Sequence, residues 1–430
     1  MERYNEYKES GVYFIPDIPN SWQVLKAKYL FKQEKREVRP EDEIVTCFRD
    51  GQVTLRKNRR TEGFTNSMKE IGYQGVRKGD LVIHNMDAFA GAIGVSDSNG
   101  KGTPVYACCT PKRNDINQYY YCYLLRYLAR NGFILSLAKG IRERSTDFRF
   151  NDFKELYLPV PSKEEQDAIV SYIDLQSTKI DEAIAQQQKM IDLLNERKQI
   201  IINNAVTKGL NPSAPMKDSG VDWIGEIPEH WKVMKLKHVT SKIGSGSTPR
   251  GGAEVYQDSG IMFLRSQNVY NDGLKLDDVA HIVDGVHQKM KGTQVKYNDI
   301  LYNITGGSIG RCCCYDREDE ANVNQHVSIV RPKGIIAKYL MYNLQSDNAQ
   351  RQLRETLKGG NREGLAAVTF KEFLILTCPK EEQNQIVSHI ERMFVNIDRA
   401  ISNATKQISL LQERKQIIIN DVVTGKVKVS

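Results

Sequence analysis

The most restrictive feature of this sequence is that its two halves repeat each other. SGVYFIPDIPNSW at 10–22 aligns with SGVDWIGEIPEHW at 219–231, and the octapeptide ERKQIIIN occurs at 196–203 and again at 413–420. Between these matched blocks the two halves share little sequence. A long-period repeat of this kind indicates one structural unit used twice. Each copy therefore has a constant frame around a variable middle.

The constant block after each variable middle has the spacing of a long helix. FKELYLPVPSKEEQDAIVSYI at 153–173 aligns with FKEFLILTCPKEEQNQIVSHI at 370–390, and apolar residues then recur at heptad positions over about six heptads. This seam consists of Ile173, Ile180, Ile184, Ile191, Leu194 and Ile201, and of Ile390, Ile397, Ile401, Ile408, Leu411 and Ile418. Because neither helix can leave its seam in water, we expect an antiparallel pair. A separate partner chain for each helix remains the alternative.

The variable middles have the composition of mixed globular domains. Short β-prone runs such as DLVIHN and DILYNI are separated by Gly and Asn turns, and NQYYYCYLLRYLARNGFILSLA reads as an amphipathic helix. The predicted fold is α+β, with two globular domains separated by two long helices, which pack as an antiparallel coiled coil with a pseudo-twofold internal repeat. The predicted segments are a first domain at 1–161, a helix at 162–206, a linker at 207–220, a second domain at 221–378, a helix at 379–424 and a tail at 425–430.

Composition limits the environment and the metal chemistry of the chain. There is no apolar stretch of the length that spans a membrane and no apolar core near the N-terminus, so we expect a cytoplasmic protein. The eight cysteines include no C-x-x-C pair, and no metal site is predicted. A formal net charge of +8 favours polyanionic partners such as nucleic acid.

Sequence motifs for catalysis are missing. GVSDSNGKGT at 94–103 resembles a phosphate-binding loop, but Gly102 stands where the Ser or Thr that binds magnesium would be required. An amino-methyltransferase loop of the Asn/Asp-Pro-Pro-aromatic type has no counterpart, and the seven histidines are scattered. We therefore predict a chain with no catalytic residues, which is not an enzyme.

Polar loops in the variable middles have the chemistry of a DNA-binding surface. Arg and Lys neutralise phosphates, glycine lets backbone amides approach them, and Arg, Asn and Gln match the edges of guanine and adenine. In the first domain the candidates are Arg56, Lys57, Arg59, Arg60, Lys139, Arg142, Arg144 and Arg149. In the second they are Ser245, Ser247, Thr248, Arg250, Arg265, Gln267, Asn268, Asn303, Arg311, Asn324, Gln325, His326, Lys358, Asn361 and Arg362.

The combination of these motifs is similar to a known family. Two variable domains, each preceded by an IPxxW segment and followed by a helix with a PxxEEQ-type start and an LLxERKQxII end, resemble the DNA-specificity subunit of type I restriction-modification systems. GSGSTP, FLRSQNV, ILYNITGGSIGR and NVNQHVSIVRP resemble target-recognition domains of that family. The first domain departs from the pattern, because no GxTP turn follows Trp22 and NMDAFAGAIG at 85–94 is longer than NITGGSIG.

The resemblance implies a non-catalytic DNA reader. Each domain would bind one half of a bipartite double-stranded DNA target, asymmetric because the middles differ, while the paired helices set the gap. Two methyltransferase subunits and two restriction (motor-nuclease) subunits are the implied partners. They would carry S-adenosylmethionine, ATP and Mg, leaving this chain with no cofactor. The predicted docking residues are Glu165, Gln166, Arg197, Lys198, Glu382, Gln383, Arg414 and Lys415.

Another class of function fits the same repeat. A coiled-coil scaffold that does not bind DNA could hold two protein-binding domains at a fixed separation. The basic loops argue against this alternative, and salt-dependent DNA binding would distinguish the two. A standalone nuclease or methyltransferase is disfavoured by the motif search.

Overall fold

The computed structural model describes residues 2–59, 70–137, 147–358 and 364–429. Contacts divide the chain into two compact units. The first comprises Met1–Gln187 and Lys406–Ser430, and the second comprises Gln188–Thr405. Each long helix contributes one half to each unit, so these units do not coincide with the predicted segments. The physical reason is that each helix packs on globular structure near both of its ends.

The chain up to the end of the first long helix is built from short strands and helices. Its elements are β1 (Tyr7–Val12), β2 (Ile15–Pro19), β3 (Gln23–Lys26), α1 (Ala27–Leu30), β4 (Phe31–Glu34), β5 (Val45–Cys47), β6 (Val53–Leu55), β7 (Gln74–Val76), β8 (Leu81–His84), β9 (Ile93–Val95), β10 (Gly100–Gly102), β11 (Tyr106–Pro111), α2 (Gln118–Arg130), α3 (Phe133–Ser136), α4 (Phe150–Phe153), β12 (Tyr157–Val160) and α5 (Lys163–Lys208), with 3-10 turns at Arg56–Asn58 and Ala88–Ala90.

The remaining chain follows a similar order. Its elements are β13 (Met216–Asp218), β14 (Glu226–Pro228), β15 (Lys232–Lys235), β16 (Thr240–Ser245), β17 (Ile261–Leu264), β18 (Val269–Tyr270), β19 (Gly273–Leu274), β20 (Ala280–Ile282), α6 (Asp284–Lys289), β21 (Ile300–Asn303), β22 (Cys312–Cys314), β23 (Ala321–Val323), β24 (Val327–Pro332), α7 (Ala337–Gln345), α8 (Asp347–Lys358), α9 (Ala367–Phe370), β25 (Leu374–Thr377) and α10 (Lys380–Val423). Its 3-10 turns are Leu236–His238, Gly252–Val255, Ser266–Asn268, Lys291–Thr293 and Gly306–Ser308.

Each unit contains a four-stranded antiparallel sheet of the same topology. The order is β4-β11-β8-β9 in the first unit and β16-β24-β21-β22 in the second. In the first sheet Cys109 of β11 lies opposite Gln33 of β4 and Leu81 of β8. In the second sheet Val330 of β24 lies opposite Ile243 of β16 and Ile300 of β21. Positions in one sheet can therefore be matched to positions in the other by register, even where the sequences do not align.

The repeated sequence blocks pair with each other inside each unit. β3, which follows the first IPxxW segment, pairs with β12, which precedes α5. β15 pairs in the same way with β25, which precedes α10. Trp22 and Trp231 are fully buried in the two cores. The constant frame is therefore a two-stranded pair that joins each globular domain to the start of its long helix.

A glycine in the left-handed backbone conformation follows the end of each long helix and packs on the buried tryptophan of the same unit. Gly209 has a φ of +72° and Gly425 a φ of +75°, the conformation that glycine adopts most readily at a helix C-terminus. A Cβ atom at Gly425 would lie 2.5 Å from Cδ of Pro19 and 3.0 Å from Cη2 of Trp22. The repeated Gly after each helix is thus required both by backbone conformation and by close packing.

The two long helices contact each other inside each unit. In the first, Lys415 of α10 forms a 2.7 Å ion pair with Asp181 of α5, and Ile180 shares a core with Ile418. In the second, Lys198 of α5 forms a 2.7 Å ion pair with Asp398 of α10. The two ion pairs are equivalent in the repeat, because Asp181 corresponds to Asp398 and Lys198 corresponds to Lys415.

The apolar seam of the long helices is covered to different extents. Ile173, Ile180, Ile390, Ile397 and Ile418 are buried. The other seam residues are partly buried, namely Ile184, Ile191, Leu194, Ile201, Ile401, Ile408 and Leu411. Burial is greatest near the helix ends, where globular structure adds to the contact between helices. Among the described residues, no helix has the length and apolar character that crossing a membrane requires.

Candidate nucleic-acid interface

In the second unit, several predicted polar loops meet at one end of the sheet. The loop after β16 is held by the Gly246 amide, which donates to the Val327 carbonyl at 2.8 Å. The loop after β21 is held by the Ile304 amide, which donates to the His326 carbonyl at 3.0 Å, and the Leu365 amide donates to the Ile304 carbonyl at 2.8 Å. These backbone bonds bring together loops that are distant in sequence.

Four exposed or half-exposed side chains form a hydrogen-bonded row on this end of the sheet. The Thr248 hydroxyl donates to Oε1 of Gln325 at 2.5 Å, and Nε2 of Gln325 lies 3.0 Å from Nε2 of His326. Nδ1 of His326 lies 2.6 Å from Oγ1 of Thr305. We call Thr248, Gln325, His326 and Thr305 the polar row. The other predicted residues of the Thr248 loop are exposed beside it, namely Ser245, Ser247 and Arg250.

Three predicted DNA-contacting asparagines are instead buried and support the loops. Asn268 is 2% exposed, and its amide accepts from the Arg265 backbone at 3.0 Å. Asn303 is fully buried, and its amide donates to the Ser266 carbonyl at 2.8 Å. Asn324 is 8% exposed and accepts from the His326 backbone. These hydrogen bonds hold the three side chains inside the loops, whereas Oδ1 of Asn303 has no partner among the described residues. Their assignment to DNA binding stays a prediction.

Other predicted contacts in the second unit are held by neighbouring side chains. Arg265 donates to the Asp278 carbonyl at 3.0 Å, and Gln267 donates to the Asp278 carboxylate at 2.6 Å. Arg311 stacks on the Tyr270 ring at 4.8 Å and lines a cavity of about 390 Å³ beside the long helices, so it does not belong to the polar row.

At the C-terminal end of α8, Lys358 forms a 3.0 Å ion pair with Glu355. Asn361 and Arg362 lie outside the described residues.

Predicted cations of the first domain also have partners within the unit. The Arg56 guanidinium donates to the Thr46 hydroxyl at 3.2 Å, Lys57 pairs with Glu43 at 2.6 Å, and Arg59 pairs with Asp50 at 2.7 Å. Arg149 is exposed and donates to Asp147. The predicted residues Arg60, Lys139, Arg142 and Arg144 lie outside the described residues.

A groove that sequence reasoning missed lies at the corresponding end of the first sheet. It encloses about 640 Å³, and we call it the polar groove. Its polar lining includes Gln33, Lys35, Asn85, Asp147, Arg149 and Asn151. Tyr106 also lines it.

The chemistry of this groove is that of an open hydrogen-bonding site. Burial raises the pKa of Tyr106 to about 12, so its hydroxyl stays neutral while accepting from the Cys47 amide. Among the described residues, Oδ1 of Asn85 is buried without a hydrogen-bond partner. The groove therefore has both cationic groups and an unsatisfied acceptor.

Backbone bonds show that the polar groove and the polar row occupy equivalent places in the two sheets. The Asn85 amide donates to the Val105 carbonyl at 2.8 Å, and the Phe148 amide donates to the Asn85 carbonyl at 3.0 Å. In the second unit the Ile304 amide donates to the His326 carbonyl and the Leu365 amide donates to the Ile304 carbonyl in the same way. In the second domain a GxTP turn marks this place in the sequence. The first domain lacks that turn, so the polar groove is found only by comparing the strand register of the two sheets.

Two glutamines predicted to dock partners are buried within their own units. Gln166 is fully buried, where its Oε1 accepts from the Asn117 amide at 2.8 Å and its Nε2 donates to the Pro161 carbonyl at 3.0 Å. Gln383 is 3% exposed and in the same way accepts from the Ile336 amide at 2.9 Å. Each amide joins the start of a long helix to the loop before α2 or α7. Docking of a partner by these two glutamines stays a prediction.

Of the other predicted docking residues, four form ion pairs or hydrogen bonds within the chain and two are exposed. Lys198 and Lys415 form the ion pairs between the helices described above. Glu165 accepts from the Tyr4 hydroxyl, and Glu382 accepts from the Trp231 indole at 3.1 Å. Arg197 and Arg414 are exposed.

An exposed apolar stripe accompanies each of these arginines. Leu193 and Ile200 are 55% and 50% exposed on α5, and their repeat equivalents Leu410 and Ile417 are 53% and 50% exposed on α10. A spacing of seven residues places both members of each pair on one helix face, with Arg197 or Arg414 between them. We call these two surfaces the helix stripes. Sequence reasoning assigned only the seam isoleucine of each octapeptide and missed its exposed neighbour.

Comparison with known proteins agrees with this architecture. Residues 228–409 match the family described as the type I restriction modification DNA specificity domain. The type I restriction enzyme MjaVIII specificity subunit of Methanocaldococcus jannaschii is 26% identical over 324 residues, covering 74% of this chain and 72% of that protein. A second protein of that organism, provisionally named the type I restriction enzyme MjaX specificity subunit, is 24% identical, covering 96% of each chain.

A solved structure shares the fold. One chain from work on complex assembly and conformational transition of the type I R-M system superimposes with a TM-score of 0.67 at 14% identity, covering 95% of this chain and 99% of that chain. The family match covers the second globular domain and part of α10, whereas the match to the MjaX protein covers nearly the whole chain. Residues 228–409 thus match the DNA specificity domain of type I restriction-modification systems, and this α+β chain with its two long helices is similar over nearly its whole length to specificity subunits of such systems.

Proposed function

We propose that this chain is the DNA-reading subunit of a type I restriction-modification complex, with one globular domain for each half of the target. The observation that carries the proposal is that each sheet presents polar side chains at the same end, as the polar groove and the polar row. Side chains of this kind hydrogen-bond to base edges, while nearby cations contact phosphates. The net charge of +8 adds a general attraction for DNA.

The two half-sites are proposed to differ in sequence. The polar groove has Lys35 and Arg149 among its groups, whereas the polar row has amide, hydroxyl and imidazole groups and no Lys or Arg. Cationic groups favour guanine and amides favour adenine in the major groove. An asymmetric bipartite target follows from this difference.

The long helices are proposed to form an antiparallel coiled coil that fixes the gap between half-sites. Support comes from the ion pairs: residue 181 of α5 meets residue 415 of α10 in the first unit, and residue 198 of α5 meets residue 398 of α10 in the second. Each contact joins an early segment of one helix to a late segment of the other. Half-sites read from one side of DNA are separated by multiples of a helical turn, ~34 Å.

The helix stripes are proposed to dock two methyltransferase subunits. Each stripe exposes a Leu and an Ile to solvent around an arginine, and apolar groups with Arg are enriched in protein interfaces. Because the same surface occurs twice in one chain, the expected occupants are two copies of one partner. Two restriction subunits complete the proposed complex. S-adenosylmethionine, ATP and Mg are assigned to these partners, and this chain is proposed to be non-catalytic and free of cofactor.

Salt-dependent DNA binding tests the proposed function against a protein-only scaffold. Affinity should be measured with and without the methyltransferase partner between about 50 and 200 mM salt, where a protein that contacts ~6–10 phosphates loses about 10³–10⁵-fold. Lys35→Gln and Arg250→Gln should each lower the dependence of log affinity on log salt by about one. Lys217→Gln, an exposed change on β13, should leave it unaltered. Absence of DNA binding with the partner present would favour the scaffold.

A further inference from the structure

Gln325 projects from a tight turn that is rigidly attached to the neighbouring loop. The Val327 amide donates to the Asn324 carbonyl at 3.1 Å, and the His326 amide donates to the Asn324 side chain at 3.1 Å. On the other side, a Cβ atom at Gly246 would lie 2.1 Å from the Val323 carbonyl oxygen. Glycine therefore permits the close approach that brings Thr248 to Gln325.

Hydrogen bonds hold both ends of the Gln325 amide. Its Nε2 can only donate, so Nε2 of His326 must accept, and the imidazole proton is on Nδ1, where it donates to Thr305. The Thr248 hydroxyl donates to the other end of the amide, at Oε1. In this arrangement the amide oxygen faces Thr248 and the amide nitrogen faces His326.

The amide retains one unused hydrogen-bonding position at each end. Oε1 has a second lone pair and Nε2 has a second hydrogen, and Gln325 is exposed. This adjacent acceptor and donor match the N6 donor and N7 acceptor of adenine in the major groove. Guanine presents two acceptors there, O6 and N7, so it can accept a bond from Nε2 but has no donor for Oε1.

From this geometry we propose that Gln325 reads one adenine in the half-site of the second domain, with Thr248 and the His326–Thr305 pair as positioning residues. This assignment rests on the proposed DNA-reading function and adds a residue, a base and an orientation to it.

The test is selection of bound duplexes from a randomised pool by the complex of the full chain with its methyltransferase partner. Gln325→Ala should reduce preference for adenine by ~10- to 100-fold at one position of one half-site and leave other positions unchanged. Gln325→Glu should move that preference towards cytosine, whose N4 group donates to a carboxylate. Gln288→Ala, an exposed glutamine on α6, is the matched control and should select the wild-type sequence.

Positioning by Thr248 has a separate signature. Thr248→Val removes the hydroxyl at nearly constant shape and should weaken discrimination at the same base pair, while Thr248→Ser should restore it. If the wild-type complex selects no sequence, the proposed function itself fails. If it selects a sequence that Gln325→Ala leaves unchanged, or if that variant lowers affinity equally for all sequences, the assignment of Gln325 is overturned.

Discussion

Replacing residues 232–377 by the corresponding segment of a relative with another specificity is expected to change one half of the recognised sequence and to leave the other half unchanged. The segment extends from β15 to β25, which pair with each other, and it contains the whole sheet that displays the polar row. Preference for the new half-site over the old should change by about 10³-fold or more, because each mismatched base pair costs ~1–3 kcal/mol. Selection from randomised duplexes would measure it.

The reciprocal exchange provides the control. Residues 23–160 extend from β3 to β12, which also pair, and they contain the polar groove. Their replacement should change the other half-site. If either exchange altered both half-sites, the assignment of one domain to each half would be contradicted.

Aspartate in place of both Leu193 and Leu410 is expected to abolish docking of the methyltransferase. Each leucine is more than half exposed within a helix stripe, and a charge there would have to be buried on binding. Loss of a central interface residue costs ~2–4 kcal/mol, or about 30- to 1,000-fold in affinity at each site. Native mass spectrometry should therefore find two partners on the wild-type chain, one on each single variant and none on the double variant.

Leu175→Asp is the matched control for this experiment. Leu175 lies on α5 with 53% exposure, but its repeat equivalent is Arg392, so the surface around it is not duplicated. This variant should still bind two partners. Two partners on the double variant, or equal losses for Leu175→Asp, would show that docking uses another surface.

The long helices were accessible to prediction because their signals are local. Heptad spacing and the flanking Pro and Gly placed them at 162–206 and 379–424, and the helices run Lys163–Lys208 and Lys380–Val423. The strand order of the globular domains could not be predicted in this way. Those strands pair across long stretches of sequence, and the pairing depends on how the whole domain packs rather than on local periodicity.

The candidate site shows where composition stops being informative. Thr248, Gln325 and His326 were selected because their types suit base recognition, and they remain predictions that the structure brings into one row. Asn303 had equally suitable chemistry but points into the loop core. Residue type gives the hydrogen-bonding capacity of a side chain, whereas its direction follows from the turn that holds it.

Mapping methylated adenines across the genome tests the central claim most directly, in cells that carry this chain and its partner subunits and in cells that lack this chain alone. We predict methylation within one asymmetric sequence made of two specified segments separated by a gap of fixed length, and its complete loss without this chain. Methylation that persists without this chain, or that follows a single continuous motif in its presence, would contradict the account.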